Sequence, residues 1–222
     1  MELTDNLRQT EVDMLRVLIA DDHEIVRRGL KQILVEGFAF AHIEEAADCP
    51  TLVDKATNSN WDIVVSDLAM PGGGGLEALK QIKKVIPDLP ILILSIYPED
   101  QYALRVLKAG ASGYLNKDAA PEELVIAIQR ILSGRRYVTE TMAEKIVQKL
   151  DDQSNVPPHE LLSDREWDVF RYLATGRTVS EICEILSLKS TTVSTYRTRI
   201  LIKMGLRTNA DIIQYALENK LI

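Results

Sequence analysis

Five short apolar runs recur through the first 134 residues, and an amphipathic stretch separates each from the next. The runs are Leu15 to Ala20, Phe40 to Ala46, Ile63 to Ser66, Ile91 to Ser95 and Gly113 to Leu115. Several are continuously apolar, as parallel strands covered on both faces must be. The stretches between and after them repeat apolar residues three or four apart. One carries Ile25, Val26, Leu30, Ile33 and Leu34; another Leu76, Leu79, Ile82 and Ile86; the last Leu124, Ile128, Ile131 and Leu132. Such spacing gives a helix one buried face. Strand–helix alternation repeated five times constrains this part of the chain to a doubly wound α/β fold with a parallel sheet.

After Gly134 the pattern changes. Thr139 to Leu150 reads as a short helix with Ala143, Ile146, Val147 and Leu150 on one side. Asp151 to His159 is polar and contains Pro157-Pro158, which cannot continue a helix, so it reads as a linker. Leu161 to Ile222 has no strand pattern but four short helical ones, separated at Gly176, Ser187 to Lys189 and Gly205 to Arg207. The expected division is an N-terminal extension (1–14), an α/β domain (15–135), a linker with a short helix (136–160) and a small all-α domain (161–222). The chain of 222 residues is 46% hydrophobic and 27% charged, which excludes disordered and low-complexity classes. Its longest apolar runs are near six residues, far short of the roughly 20 that a membrane-spanning helix needs. Met1 to Met14 lacks the apolar centre of a secretory signal, and Cys49 and Cys183 lie far apart. A cytoplasmic protein without structural disulfides is expected.

In a doubly wound sheet, functional groups gather at the carboxyl ends of the strands. Here the first strand ends in Asp21-Asp22-His23, the third in Asp67 and the fourth in Ser95, while Lys117 follows the fifth. Parallel strands place all of these on one edge. Close carboxylates raise one another's pKa unless a cation intervenes. With oxygen donors and no His/Cys cluster, the cation that suits them is a hard one such as Mg2+. A carboxylate beside that ion can attack phosphorus and form an acyl phosphate, with a lysine and a hydroxyl on the phosphoryl oxygens. A lone Asp is common in turns, but turn chemistry does not explain matching groups at four strand ends. The Gly72 to Gly75 run is not a P-loop, because no Gly-Lys-Ser/Thr follows it.

The segments Leu18-Ile19-Ala20-Asp21-Asp22-His23, Ser66-Asp67-Leu68-Ala69-Met70-Pro71-Gly72, Ile93-Leu94-Ser95 and Gly113-Tyr114-Leu115-Asn116-Lys117 together resemble a response-regulator receiver domain, over about Leu15 to Gly134. The resemblance implies a flavodoxin-like, five-stranded parallel sheet of order 2-1-3-4-5. It implies that Asp67 accepts phosphate from a sensor histidine kinase and that Asp21, Asp22, Asp67 and the Ala69 carbonyl hold Mg2+. Lys117 would contact the phosphoryl group. Ser95 and Tyr114 would be paired switch residues, with Tyr114 repacking inward on phosphorylation. This sequence departs from the family at Gly74, where an Asp is usual, and at Ile96, where a smaller residue or Met is usual. A mobile Gly loop and restricted access to the acyl phosphate are expected from these departures. A haloacid-dehalogenase-like phosphatase would share the sheet and the nucleophile but needs a second acid where Ala69 stands. A metal-dependent phosphohydrolase and a phosphorylation-independent regulator remain as the other readings of the site.

The net charge of −7 alone argues against nucleic-acid binding. The charge is uneven, however. Residues 1–150 carry 17 basic and 23 acidic side chains, and residues 151–222 carry 9 and 10. Between Lys189 and Arg207 there are five basic residues (Lys189, Arg197, Arg199, Lys203, Arg207) and no acid, a stripe suited to phosphate. Ser180 to Leu186 reads as a helix burying Ile182, Ile185 and Leu186. Ser187 to Lys189 is a turn, and Ser190 is positioned to cap a second helix burying Val193, Tyr196, Ile200 and Met204. That is a helix-turn-helix, whose second helix enters the major groove. Its outward Ser194, Thr195, Thr198 and Arg199 suit base edges. The apolar period assigns Trp167 and Tyr196 to the core rather than to base stacking. Cys183 reads as a half-buried apolar residue.

Leu162-Ser163-Asp164-Arg165-Glu166-Trp167-Asp168-Val169, with Gly176, Thr192-Val193 and Lys203-Met204-Gly205, resembles a LuxR-type DNA-binding domain over about Leu161 to Ile222. The whole chain then resembles a NarL/FixJ-type response regulator. The resemblance implies base reading by Ser194, Thr195 and Thr198, and phosphate contacts from Thr191, Arg197, Arg199 and Lys203, with Lys189 completing the DNA-facing set. The family often has Lys at Ser194 and His at Tyr196, so the target sequence cannot be copied from better-known members. The implied protein is not an enzyme but a regulator controlled by phosphorylation. Its implied partners are a kinase, promoter DNA, RNA polymerase and, on activation, a second copy of itself.

Overall fold

The computed structural model describes residues 14–119, 121–144 and 157–222. The expected extension up to residue 13, the helix positions Ile146, Val147 and Leu150, and the linker stretch 151–156 lie outside the described residues. The chain divides into two compact units, one ending at Met142 and one beginning at Ala143.

In the first unit, β1 (Arg16–Ala20), β2 (His42–Ala46), β3 (Ile63–Asp67), β4 (Ile91–Ser95) and β5 (Gly113–Asn116) form one parallel sheet in the order β2-β1-β3-β4-β5. This is the order that the receiver resemblance implies. Helices α1 (Glu24–Gly37), α2 (Cys49–Asn58), α3 (Gly75–Val85), α4 (Glu99–Lys108) and α5 (Pro121–Leu132) connect and follow the strands. Alternate residues of the central strands, Val17, Ile19, Ile63, Val65, Leu92 and Leu94, share one core with Leu34 of α1 and Ile128 of α5. Ile25 and Leu132 depart from the expected inward placement, at 78% and 39% exposure. Ile25 stands about 140° around the helix from buried Leu30, beyond the stripe that the sheet covers.

Beyond α5 the chain folds back beside β5. The Tyr137 N–H donates to the Ser112 carbonyl at 2.9 Å, and the Tyr114 N–H reaches the Tyr137 carbonyl at 3.4 Å. A Cβ on Gly113 would stand 2.9 Å from that carbonyl, so the close approach depends on glycine. The Thr139 hydroxyl donates to Glu99 at 2.6 Å and accepts from the Met142 N–H at 3.2 Å, which starts the helical residues 140–144. A strand edge of the sheet is thereby covered.

The second unit contains a 3-10 turn (Pro158–Leu161) and helices α6 (Asp164–Ala174), α7 (Val179–Leu186), α8 (Ser190–Met204) and α9 (Asn209–Glu218). Three of these start at capping boxes. Glu166, Glu181 and Asp211 each accept from the backbone N–H of the cap residue, Ser163, Thr178 and Thr208. Trp167 is 1% exposed and stacks on Phe170 at 5.3 Å, so it belongs to the core, as its period predicts. Cys183 is half-buried, also as expected. Ile185 is instead 47% exposed, because the short α7 turns only Ile182 fully inward. Ser190 does not cap α8. Extended backbone ends at Lys189, so Ser190 is already the first helical residue. No described helix is long and apolar enough to cross a membrane.

Candidate functional site

The parallel register places the ends of β1, β3 and β4 and the residue after β5 on one sheet edge. There the Lys117 ammonium lies 2.6 Å from Asp21 Oδ2 and 3.0 Å from Asp67 Oδ2. Both acids are almost wholly buried. Burial pushes the Asp67 carboxyl above the usual carboxylate range; Lys117 opposes that shift and Asp21 adds to it. Burial alone would pull Lys117 down, but its bonds to Asp21 and Asp67 outweigh it and raise its pKa. Two buried carboxylates thus share one ammonium. The Leu68 N–H donates to Asp67 Oδ1 at 2.7 Å, and the N–H of exposed Ala69 also bonds Asp67.

Asp22 stands at the exposed rim, 2.7 Å from His23 Nδ1. The His23 N–H donates to Asp21 Oδ1 at 2.8 Å, so His23 both starts α1 and fixes Asp21. Asp21, Asp22 and His23 can bring one ligand atom each within 4.8 Å of one another. Gly75 packs so closely that an added Cβ would collide with the Asp67 carbonyl oxygen, while Gly72 and Gly74 both have φ of +80°. The glycine run therefore answers to specific steric demands beside Asp67. Ile96, directly after Ser95, is 66% exposed.

Ser95 is buried at the end of β4, and its hydroxyl accepts from the Tyr97 N–H at 3.1 Å. Tyr114 is the other expected switch residue. It is already buried, with its hydroxyl donating to the Tyr97 carbonyl at 2.7 Å. A buried phenol needs such an acceptor, and Tyr97 supplies it from the loop before α4. Tyr97, which also stacks on Tyr102 at 5.0 Å, is the residue that sequence reasoning missed. It bonds both switch candidates through its backbone, which no side-chain pattern announces.

On α8, Val193, Ile200 and Met204 are buried and Tyr196 is half-buried, while Thr191, Ser194, Thr195, Thr198 and Arg199, and Lys189 just before the helix, are exposed. The Thr195 hydroxyl donates to the Thr191 carbonyl at 2.8 Å, and that of Thr198 to the Ser194 carbonyl at 3.0 Å. Oxygen lone pairs and methyl groups, rather than hydroxyl protons, remain available there. Two cations of the stripe are held by the fold. Arg197 Nε donates to Asn209 Oδ1 at 2.6 Å. Lys203, also expected to contact phosphate, is tied to the fold by its ammonium, which lies 2.6 Å from Glu166, a residue 2% exposed. Burial alone would raise the Glu166 pKa, but Lys203 and Ser163 hold it below the ordinary 4.5. The Glu166 partner was hidden because its capping spacing accounts for it locally.

Residues 17–129 match the response regulator receiver domain family, and residues 160–216 match the luxR family of bacterial regulatory proteins. The chain is 34% identical over 209 residues to the response regulator UvrY of Escherichia coli K12, covering 94% of this chain and 96% of that protein. It is 32% identical to the oxygen regulatory protein NreC of Staphylococcus epidermidis, covering 94% of this chain and 99% of that one. Its structure is similar to that of RcsB from Salmonella enterica serovar Typhimurium bound to promoter rprA in the presence of the phosphomimetic BeF3−. That likeness has a TM-score of 0.61 and 27% identity, over 90% of this chain and 98% of that one. The chain belongs to the NarL/FixJ-type response regulators, in which a receiver domain precedes a LuxR-type helix-turn-helix domain.

Proposed function

We propose that this response regulator accepts a phosphoryl group on Asp67 from a sensor histidine kinase and binds promoter DNA as a homodimer. The observation that carries the reading is the convergence of Asp21, Asp67 and Lys117 on one sheet edge of a chain that also presents the polar face of α8. Asp67 attacks the phosphorus of a phosphohistidine. A P–O bond forms as the P–N bond breaks, and the electron pair leaves on the imidazole nitrogen, which takes up a proton. Lys117 then pairs with a phosphoryl oxygen, and the Ser95 hydroxyl donates to another.

The donor set is all oxygen, pairs buried Asp21 and Asp67 with Asp22 at the exposed rim, and has more negative charge than Lys117 alone offsets, which fits Mg2+. Asp21, Asp22, Asp67 and the Ala69 carbonyl would hold it. Bound there, the ion would reduce the repulsion between the carboxylates and the incoming phosphoryl group.

When Ser95 turns to the phosphoryl group, it releases the Tyr97 N–H. Tyr97 leads directly into α4 and is bonded to Tyr114 on β5, so the change reaches the face formed by α4, β5 and α5. A changed face can favour a dimer. Two α8 helices would then read half-sites about 10 base pairs apart or a multiple of that. Ser194, Thr195 and Thr198 read bases, and Lys189, Thr191, Arg197 and Arg199 contact phosphates. The protein acts in the cytoplasm and on RNA polymerase at the promoter. Selection of bound DNA from random duplexes, with and without a beryllofluoride mimic, tests this reading. The expected result is a two-half-site sequence enriched by the wild type only with the mimic. Equal enrichment by Asp67→Asn with the mimic would overturn it.

A further inference from the structure

Arg197 and Asn209 lie on different helices, and their side chains meet at 2.6 Å, Nε donating to Oδ1. Asn209 is the first residue of α9, directly behind the Thr208 cap. The Thr208–Asp211 capping box fixes that helix start through bonds in both directions, so the acceptor stands on a rigid frame. Arg197 is half-buried, and among the described residues its two terminal amino groups have no other partner. The bond uses one of five N–H donors and fixes the guanidinium plane. Four donors in a fixed fork remain, which is the geometry that grips a phosphate with two parallel hydrogen bonds.

We propose that Asn209 is a positioning residue for DNA binding: it presents the Arg197 guanidinium, preoriented and fully charged, to a backbone phosphate. The proposal rests on the reading of α8 as the DNA-facing helix. A neutral acceptor is what this task requires. Lys203 on the same helix shows the opposite arrangement, where a buried carboxylate takes up the charge and ties it to the fold. Asn209 orients its partner without offsetting the charge. The torsional freedom of a long side chain is then lost before DNA arrives rather than on binding.

Phosphate contacts are independent of sequence, so the probe is a random-sequence duplex titrated with the full-length protein over a range of salt. Arg197→Ala should weaken binding and reduce the slope of log K against log salt by about one. Asn209→Ala should weaken binding about twofold to tenfold and keep the slope, since the charge remains but must be ordered on contact. Asn209→Asp retains an acceptor and an acid suited to a helix start, so it should fold. It should still reduce the slope by about one, because the carboxylate neutralises Arg197. In an Arg197→Ala background, Asn209→Ala should not matter. Equal losses from Asn209→Ala in both backgrounds, or an unchanged slope in Asn209→Asp, would overturn the proposal. Arg199→Ala separates the two levels. If Arg199→Ala and Arg197→Ala both leave affinity and slope untouched, the DNA-facing reading of α8 itself fails.

Discussion

The Lys117 ammonium lies 3.0 Å from the Asp67 carboxylate, a group at the end of β3 that is almost wholly buried. Its partner at the end of β1, Asp21, is as deeply buried and takes the same cation at 2.6 Å. Burial makes Asp67 a reluctant anion. Its folded pKa lies above the ordinary 3.8, so ionising it opposes folding at neutral pH and not below that value. Asp67→Asn should therefore stabilise the first unit at neutral pH, with the advantage vanishing as pH falls through about 4. Lys117→Met, which leaves two buried acids without their cation, should cost about 3 kcal/mol at neutral pH. Thermal unfolding of both variants across pH checks these signs.

Glu166 works in the opposite sense. Its folded pKa is held below 4.5, so its contribution to stability is present above that value and is lost as pH falls beneath it. Glu166→Gln should flatten the acid limb of the second unit's stability. Lys203→Ala, which strips a buried acceptor of its donor, should cost about 1–3 kcal/mol. Trp167 fluorescence during unfolding, read in a Trp61→Phe background, reports on this unit.

Tyr114 is already inward, so beryllofluoride should not change the solvent accessibility of its ring. Tyr114→Phe removes the bond to the Tyr97 carbonyl and should cost about 1 kcal/mol. Amide hydrogen exchange at Tyr97 with and without beryllofluoride checks the other half of the switch, since Ser95 should release that N–H. Unchanged exchange would contradict it.

Gly75 and Gly134 should respond differently to alanine. At Gly75 the new Cβ meets the backbone of Asp67, which cannot move cheaply, and a loss of about 3 kcal/mol is expected. At Gly134 the space is open, and only the φ of +79° opposes the change, at about 1 kcal/mol. Denaturant midpoints of the two variants make the comparison.

The convergence of Asp21, Asp67, Ser95 and Lys117 on one edge was legible because each ends or follows a strand, and parallel strands leave little choice of where their ends lie. The helix-turn-helix was legible from the spacing of Val193, Ile200 and Met204. Relations that depend on tertiary placement or backbone groups were not. Tyr97 acts through its N–H and carbonyl, so its side chain gave no sign. Lys203 read as one more cation in a basic stripe until the fold placed it beside buried Glu166. Ile25 had the right spacing for a core position but the wrong angle around α1.

Intact-mass spectrometry coupled to DNA binding is the most direct test that Asp67 phosphorylation controls the DNA-binding domain. Wild type and Asp67→Asn are treated with acetyl phosphate and Mg2+, weighed, and titrated with a duplex recovered by selection. The wild type should gain the mass of one phosphoryl group and bind more tightly in proportion, while Asp67→Asn should do neither. A wild type that gains no mass yet binds as tightly as before, or an Asp67→Asn protein that gains both mass and affinity, would contradict this.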